Sequence, residues 1–229
     1  MTVDALFFNR DTRVFIKLSE QDFAWELPVL DGYSFSQATN STEVSLSEME
    51  SASGSRRARQ MFNDSFAPAE WSFSTYAQPY NAASKDRAVE EVLWGLLAGK
   101  AYWDDTNKKF LTANGGTAYI EQDTNNNSRD LDFEQSNTSV LGTADIYFVM
   151  GTRNNTVQAA SDLIAYKVSG CVVNEATFDY DVEGIATLNW SGFGKLVEEV
   201  TITAKDAAPT SGVLAGDLWV DTDAANTDS

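Results

Sequence analysis

The chain has 229 residues, 43% of them hydrophobic, so it can bury a substantial core and lacks the composition of a disordered protein. It contains no histidine and a single cysteine, Cys171, which excludes an internal disulfide, Ser-His-Asp or Cys-His catalysis and the usual zinc sites. The net charge of -18, from 16 basic and 34 acidic residues, argues against tight nucleic-acid binding, because that binding requires Lys and Arg to neutralise phosphates.

No apolar run approaches the roughly 20 residues that cross a bilayer, and the N-terminus lacks the pattern of a signal peptide. Neither the phosphate-binding pattern G-x-x-x-x-G-K-[ST] nor G-x-G-x-x-G after a strand is found. We therefore expect no membrane partner and no cofactor. The single cysteine, Cys171, suits a reducing compartment.

The first predicted strand covers residues 13–18. Val14, Ile16 and Leu18 alternate with the opposite-facing Phe15, as in a strand with one buried face. Phe7 and Phe8 precede this strand, and we predict either an arm that contacts a neighbouring subunit or ordinary core.

A long β-hairpin is predicted next. One arm covers 33–37, residues 38–42 form a polar turn, and the second arm runs through 44–49, with one apolar face and one small, hydroxylated and acidic face. Residues 51–59, SASGSRRAR, are predicted to form a loop. Its basic cluster is either a docking point for an acidic surface, such as another copy of the chain, or simply solvated.

Residues 70–76 form a predicted strand that ends at Pro79. A helix is predicted over 84–98, with Ser84 as its cap and Asp86 in the first turn. Its apolar residues recur at helical spacing and predict a helix that covers one face or end of a sheet; they are Val89, Val92, Leu93, Leu96 and Leu97.

Further strands are predicted over 144–150 and 163–173, and the segment 196–204 ends in the strand-like sequence VTITA. Between these last two segments, the stretch 174–195 consists of two alternating arms on either side of Gly184, which marks a turn or bulge. In the first arm, buried apolar residues alternate with three carboxylates on the wet face; the pairs are Phe178 with Asp179, Tyr180 with Asp181, and Val182 with Glu183. Such a row of acids either provides solubility or repels something acidic.

After residue 204 the chain is rich in Ala, Thr, Gly and Asp, with 216–223 as a short strand or the opening of a further small module. We predict a β-sandwich domain over 1–204 and a C-terminal extension over 205–229.

Four motifs carry a resemblance to a known family. They are LPVLDGYSFSQATNSTEVSLSEM, EWSFSTYAQPY, the helix VEEVLWGLLAG, and CVVNEATFDYDVEGIATLNWSGFGK. Together they extend from the N-terminal strand to about Ala204. The chain resembles tail tube proteins of tailed bacteriophages, which are related to the inner tube of contractile injection systems.

The resemblance implies a mainly β (α+β) fold: a β-sandwich or barrel with one flanking helix, whose long hairpin contributes to the inner barrel of a ring. Six subunits would form each ring, and the rings would stack into a hollow tube. DNA would pass through the acidic lumen during ejection without tight binding, because duplex DNA carries about one charge per 1.7 Å of axis.

The resemblance also implies where the protein acts and with what. It would be a structural protein of the virion tail, assembled in the host bacterial cytoplasm. Its partners would be tape-measure, baseplate or tail-tip and terminator proteins, and a sheath protein if the tail is contractile.

Alternation and the inner sheet of that family together give the candidate site residues. The lumen-lining candidates are Ser34, Ser36, Glu43, Ser45, Ser47, Ser72, Ser74, Asp179, Asp181 and Glu183. The subunit-contact candidates are Phe7, Phe8, Arg56, Arg57 and Arg59.

Two other classes of function compete with this interpretation. One is a monomeric β-sandwich binding module that recognises carbohydrate or protein through exposed aromatic residues. The other is an enzyme that pairs the carboxylate of Asp179 with that of Asp181 or Glu183. We expect no enzyme, because alternate residues on the wet face of a strand are usually only surface.

Overall fold

The computed structural model of the chain describes residues 12–19, 21, 23–46, 58–82, 85–99, 102–104, 106, 109–111, 118–122, 129–131, 141–151, 163–180, 184–200, 202–205 and 218–221. Over these ranges the chain is mainly β with one short helix, which confirms the predicted fold class. None of the helical structure described is long and apolar enough to cross a membrane.

The elements follow one another along the chain as strands interrupted once by a helix. The strands are β1 (Arg13–Leu18), β2 (Trp25–Leu27), β3 (Ser34–Ser36), β4 (Thr39–Leu46), β5 (Ala58–Phe66), β6 (Ala69–Tyr76), β7 (Pro79–Ala82), β8 (Lys85–Ala88), β9 (Tyr102–Asp104), β10 (Lys109–Leu111), β11 (Ala118–Gln122), β12 (Arg129–Leu131), β13 (Ala144–Gly151), β14 (Leu163–Asp179), β15 (Thr187–Gly194), β16 (Leu196–Val200), β17 (Ile202–Lys205) and β18 (Leu218–Asp221). The helix α1 (Glu91–Leu97) lies between β8 and β9.

The main sheet is built on strand β14, which is 17 residues long. The strand order is β2-β1-β13-β14-β15-β6-β3, and β16 also pairs with β14. The N-terminal half of β14 pairs with β13 and β16, whereas its C-terminal half pairs with β15. The register shifts between Val173 and Glu175, so that Asn174 is an extra residue, as in a β-bulge.

A single apolar core joins the two halves of this sheet. Val14, Ile16 and Phe148 come from the first half, and Trp71 and Trp190 from the second. Helix α1 adds Val92, Leu93 and Leu96 to the same core. The predicted role of the helix, to cover a sheet with its apolar stripe, is therefore confirmed.

Small sheets complete the described structure. Strands β9 to β12 form an antiparallel four-stranded sheet, and β17 pairs in parallel with β18. Of the two alternatives for 216–223, the structure contains the short strand, as β18. The division of the chain at residue 204 stays a prediction.

The prediction that residues 33–37 pair with the arm through 44–49 is wrong. Residues 39–42 are not a turn but belong to β4, which pairs with β5 and not with residues 33–37. Strand β3 pairs instead with β6. Ser, Thr and Asn favoured a turn in the sequence, yet they also suit a strand whose two faces are both exposed.

The N-terminal half of the predicted helix is a strand. Asp86 lies in β8, which pairs with β7, and α1 begins only at Glu91; Ser84 lies outside the described residues. Likewise β6 ends at Tyr76, and Pro79 opens β7 instead of ending β6. Cross-strand pairing with β7 overrides the local helical pattern of residues 85–88, because helix propensity is a weak preference.

Glu90 precedes the helix and is only 4% exposed. Its Oε2 has no hydrogen-bond partner among the described residues, and its side chain does not cap the helix. Burial raises the pKa of Glu90 above the ordinary value, and the neighbouring Glu91 carboxylate raises it further. The charged form of Glu90 is therefore less favourable in the folded chain than in the unfolded chain.

We expect Glu90→Gln to stabilise the protein increasingly as pH rises. The wild-type chain loses folding free energy as pH increases from about 4.5 through the raised pKa, since the unfolded state gives up its proton first. The variant has no such group and keeps its stability over that window. Urea denaturation between pH 5 and 8 measures the difference, with Glu199→Gln as an exposed control of the same charge change. Parallel curves for wild type and Glu90→Gln would contradict the assignment.

Candidate functional surface

One face of the second half of the sheet is polar, and we call it the hydroxyl face. It is formed by β3, β6, β15 and the C-terminal half of β14. The register places Ser34 beside Ser72, Ser72 beside Ser191, and Ser191 beside Glu175. The next row brings Ser74, Asn189 and Thr177 together. The same side of these strands also carries Ser36, Glu70, Tyr76, Asp179, Thr187 and Phe193.

Hydrogen bonds run across the strands of the hydroxyl face. The Oγ atoms of Ser34 and Ser72 are 2.8 Å apart. Ser74 Oγ donates to Asn189 Oδ1, and Asn189 Nδ2 donates to Asp179 Oδ2, both at 2.5 Å. The bonds from Ser74 to Asn189 and from Asn189 to Asp179 cross from β6 through β15 to β14. Several polar side chains of this face are therefore held by one another and not left free.

The charges on the hydroxyl face are all of one sign. Among its described residues, Glu70, Glu175 and Asp179 are acidic, and none is Lys or Arg. Two open depressions of about 290 and 260 Å³ lie on it, around Ser191. No group of three metal-binding side chains is found among the described residues. The chemistry of this surface is repulsion of anions, because its charges are uniformly negative.

The opposite face of the same strands fixes which way the hydroxyl face points. Trp71, Phe73, Leu188 and Trp190 are buried there, and Trp190 Nε1 donates to the buried Thr75 Oγ1 at 3.0 Å. A register slip of one residue would exchange the two faces. Burial of these indole and phenyl rings therefore commits the serines to the exposed side.

The structure brings together five of the predicted lumen-lining residues: Ser34, Ser36, Ser72, Ser74 and Asp179. Glu43 and Ser45 lie on β4, away from this face, while Ser47, Asp181 and Glu183 lie outside the described residues. That any of them lines a lumen stays a prediction.

Sequence reasoning missed part of the hydroxyl face. Glu70 is two residues before Ser72, Ser191 is two residues after Asn189, and Glu175 is four residues before Asp179. The period of two that selected Ser72 and Asp179 extends to these residues as well. The alternation alone could have found Glu70, Ser191 and Glu175. It could not be extended to the part of β14 before Asn174, because the bulge there changes the phase.

The subunit-contact candidates are almost all beyond what the structure describes. Phe7, Phe8, Arg56 and Arg57 lie outside the described residues. Arg59 lies in strand β5 and not, as predicted, in a loop. Their role in contacts stays a prediction.

The tip of the β14–β15 hairpin corrects another expectation. Phe178 and Tyr180 were expected to be buried, yet they are 54% and 73% exposed, and Ile185 is 69% exposed. The rings of Phe178 and Tyr180 stack on each other with centroids 6.4 Å apart. The strand continues beyond the core, so its apolar side has no cover from the described chain.

The two outer strands of the hydroxyl face each have an unpaired edge. Within the described residues β3 pairs only with β6, and the C-terminal half of β14 pairs only with β15. Each edge leaves backbone N–H and C=O groups available for another strand.

No protein-family model matches the chain. Among characterised proteins, it is 29% identical over 194 residues to tail tube protein pb6 of Escherichia phage T5, a match covering 81% of this chain and 36% of that protein. The chain thus spans little more than a third of the length of this relative. The match confirms the predicted resemblance to tail tube proteins.

The solved structures to which the chain is similar include a chain of the anti-feeding prophage baseplate and one of the SPP1 tail tube. A chain of the anti-feeding prophage baseplate is 6% identical at a TM-score of 0.47, over 87% of this chain and 97% of that one. A chain of the SPP1 tail tube is 11% identical at a TM-score of 0.39, over 85% and 78%.

Gly192 permits the close packing beneath the hydroxyl face. A Cβ atom there would overlap the carbonyl oxygen of Val172 and lie 2.6 Å from the indole of Trp71. We expect Gly192→Ala to lower the free energy of unfolding by about 3 kcal/mol or more, because a backbone oxygen cannot move aside. The neighbouring Ser191→Ala should change it by about 0.5 kcal/mol at most. Chemical denaturation measures both, and equal effects would contradict the packing described.

Proposed function

We propose that this chain is a structural subunit of a phage tail tube or a related injection tube. Six copies form a ring, the rings stack into a hollow tube, and the hydroxyl face lines the channel through which DNA is ejected. One observation carries the proposal. The part of the main sheet formed by β3, β6, β15 and the C-terminal half of β14 has a buried apolar face, an acidic hydroxyl face and two unpaired edges. The sequence match to a tail tube protein supports it.

The unpaired edges favour a ring. Strand β3 of one copy can pair with β14 of the next, so that each copy uses a different edge toward each neighbour. Such a head-to-tail contact either closes into a ring or continues as an open filament. Closure pairs both of these edges, which a lone subunit leaves exposed to non-specific strand addition.

The hydroxyl face suits the inside of that ring. Its apolar reverse is already covered by the subunit's own core, including Trp71 and Trp190, so only the polar side can face a channel. Glu70, Glu175 and Asp179 repel phosphates, and the absence of Lys and Arg from the described face removes the groups that hold DNA. DNA can then slide without tight binding.

The proposed partners follow from the family resemblance. They are tape-measure, baseplate or tail-tip and terminator proteins, with a sheath protein in a contractile tail. The protein would lie in the virion tail after assembly in the host cytoplasm. This role requires no catalysis, and Asp179 is engaged with Asn189 on an open surface.

Cross-linking of the two sheet edges tests the ring. We expect the double variant Ser34→Cys/Glu175→Cys, treated with a short bis-maleimide, to give a ladder of covalent oligomers that ends at six copies. Negative-stain electron microscopy of the same sample should show six-fold rings or tubes. The native Cys171 is buried and should not react.

The variants Ser34→Cys and Glu175→Cys are the matched controls, because one reactive cysteine per chain can give dimers at most. A double variant that stays monomeric, or gives no more than dimers under conditions where tubes form, would contradict the β3–β14 contact. Particles that remain monomeric with a baseplate-bearing lysate would favour the alternative, a monomeric binding module.

Charge reversal tests the orientation of the hydroxyl face. We expect tubes of Glu175→Lys to retain duplex DNA and protect it from nuclease, since each ring gains six cations inside the channel. Retention should weaken steeply as salt rises from 50 to 200 mM. Glu199→Lys makes the same change at an exposed position on β16 and should protect no DNA. Equal protection by both variants would place the hydroxyl face elsewhere than the channel.

A further inference from the structure

Strands β4 and β5 form a two-stranded ribbon that continues the β3–β6 pair beyond the sheet. Every side chain described in it, over 39–42 and 63–66, is exposed. Bonds between its two strands include Thr42 Oγ1 to Asp64 Oδ2 at 2.9 Å. An isolated two-stranded ribbon is only marginally stable in water. Its direction therefore has to be set where it leaves the sheet.

The side chain of Gln37 occupies that point. Its Nε2 donates to the carbonyl oxygen of Ala67 at 2.8 Å and to that of Lys195 at 2.9 Å. Its Oε1 accepts from the backbone N–H of Val197 at 3.0 Å. Both amide donors and the amide oxygen are thus used, and exchanging the nitrogen and oxygen would lose all three bonds.

Gln37 and the two residues whose carbonyl oxygens it contacts lie at three strand junctions. Gln37 itself separates β3 from β4, Ala67 separates β5 from β6, and Lys195 separates β15 from β16. Ala67 N also donates to Ala38 O at 2.8 Å, and Lys195 N donates to Ser169 O of β14 at 2.8 Å. One amide therefore links the start of both arms of the ribbon to the β15–β16 junction, whose Lys195 N–H in turn bonds to β14.

We propose that Gln37 is a positioning residue that fixes the angle at which the β4–β5 ribbon leaves the sheet. Without its three bonds, the two short connections at 37–38 and 67–68 become a hinge, and the ribbon, which is only marginally stable by itself, opens more often while the core is unaffected. The inference rests on contacts within one chain and does not depend on the proposed tube.

Hydrogen exchange of the purified full chain tests this role. Gln37→Met keeps the length of the side chain and removes all three bonds, while Gln37→Glu keeps an acceptor but turns an oxygen toward two carbonyl oxygens. We expect both variants to raise exchange about 10-fold or more for Val197 and for the ribbon amides of 39–46 and 58–66. Exchange within β13 should be unchanged.

Gln21→Met is the matched control. It is the same substitution at a glutamine whose Nε2 donates to Trp103 O at 3.0 Å, and neither residue belongs to the ribbon or its junctions. It should leave the ribbon amides at the wild-type rate. Two results would overturn the proposal: ribbon exchange that stays at the wild-type rate in both Gln37 variants, or exchange that rises equally in β13 and in the ribbon. Loss of the whole fold in both variants would also overturn it, since the residue would then support the core.

Discussion

The requirement that β14 pair with different strands in the two halves of the main sheet determines much of this structure. Its first half needs a register set by β13 and β16, and its second half needs one set by β15. A regular strand cannot turn between two such partners without losing bonds. The change of partner falls near residues 169–172, where the register with β13 shifts between Ala144 and Ile146, and the extra residue at Asn174 follows within the β14–β15 pairing. Such bulges increase local twist and bend the strand. Gly170, with a positive φ of 58°, assists the same turn and donates its N–H to Asp145 Oδ1 at 2.9 Å.

The packing beside that bend explains why small residues occur there. Gly192 and Gly194 on β15 lie against Val172 and Val168 of β14, and Trp71 of β6 covers Gly192. The indole takes the space that a side chain on Gly192 would need. The apolar side is thereby tightly filled around Gly192, with no room for a side chain there.

Period-two alternation made part of this arrangement predictable. It gave the bounds of β1 and the buried side of β6, and it placed Ser72 and Ser74 opposite Trp71 and Phe73. Each of these strands has one face on the core, so burial imposes the pattern on the sequence. Where that constraint is missing, the prediction was wrong.

The ribbon and the hairpin tip illustrate the missing constraint. Strand β4 has two wet faces where its side chains are described, so nothing forces hydrophobic alternation, and Ser and Thr resembled a turn. Phe178 follows the alternation of a buried strand, yet it extends beyond the core. Local sequence also could not reveal Gln37, because its three partners lie 30, 158 and 160 residues away.

The hydrogen bonds of the hydroxyl face matter for the channel proposed here. A free serine hydroxyl could donate to a phosphate and slow a passing duplex. One hydroxyl of the Ser34–Ser72 pair donates to the other, Ser74 donates to Asn189, and the Asn189 amide donates to Asp179, so one donor on each of these groups except the accepting serine is occupied. Donors occupied within the sheet have less to offer a phosphate, since a new bond would break an existing one. Low friction would then come from satisfied hydroxyls as well as from negative charge. The two contributions can be separated, because salt screens the charge but leaves the hydrogen bonds in place.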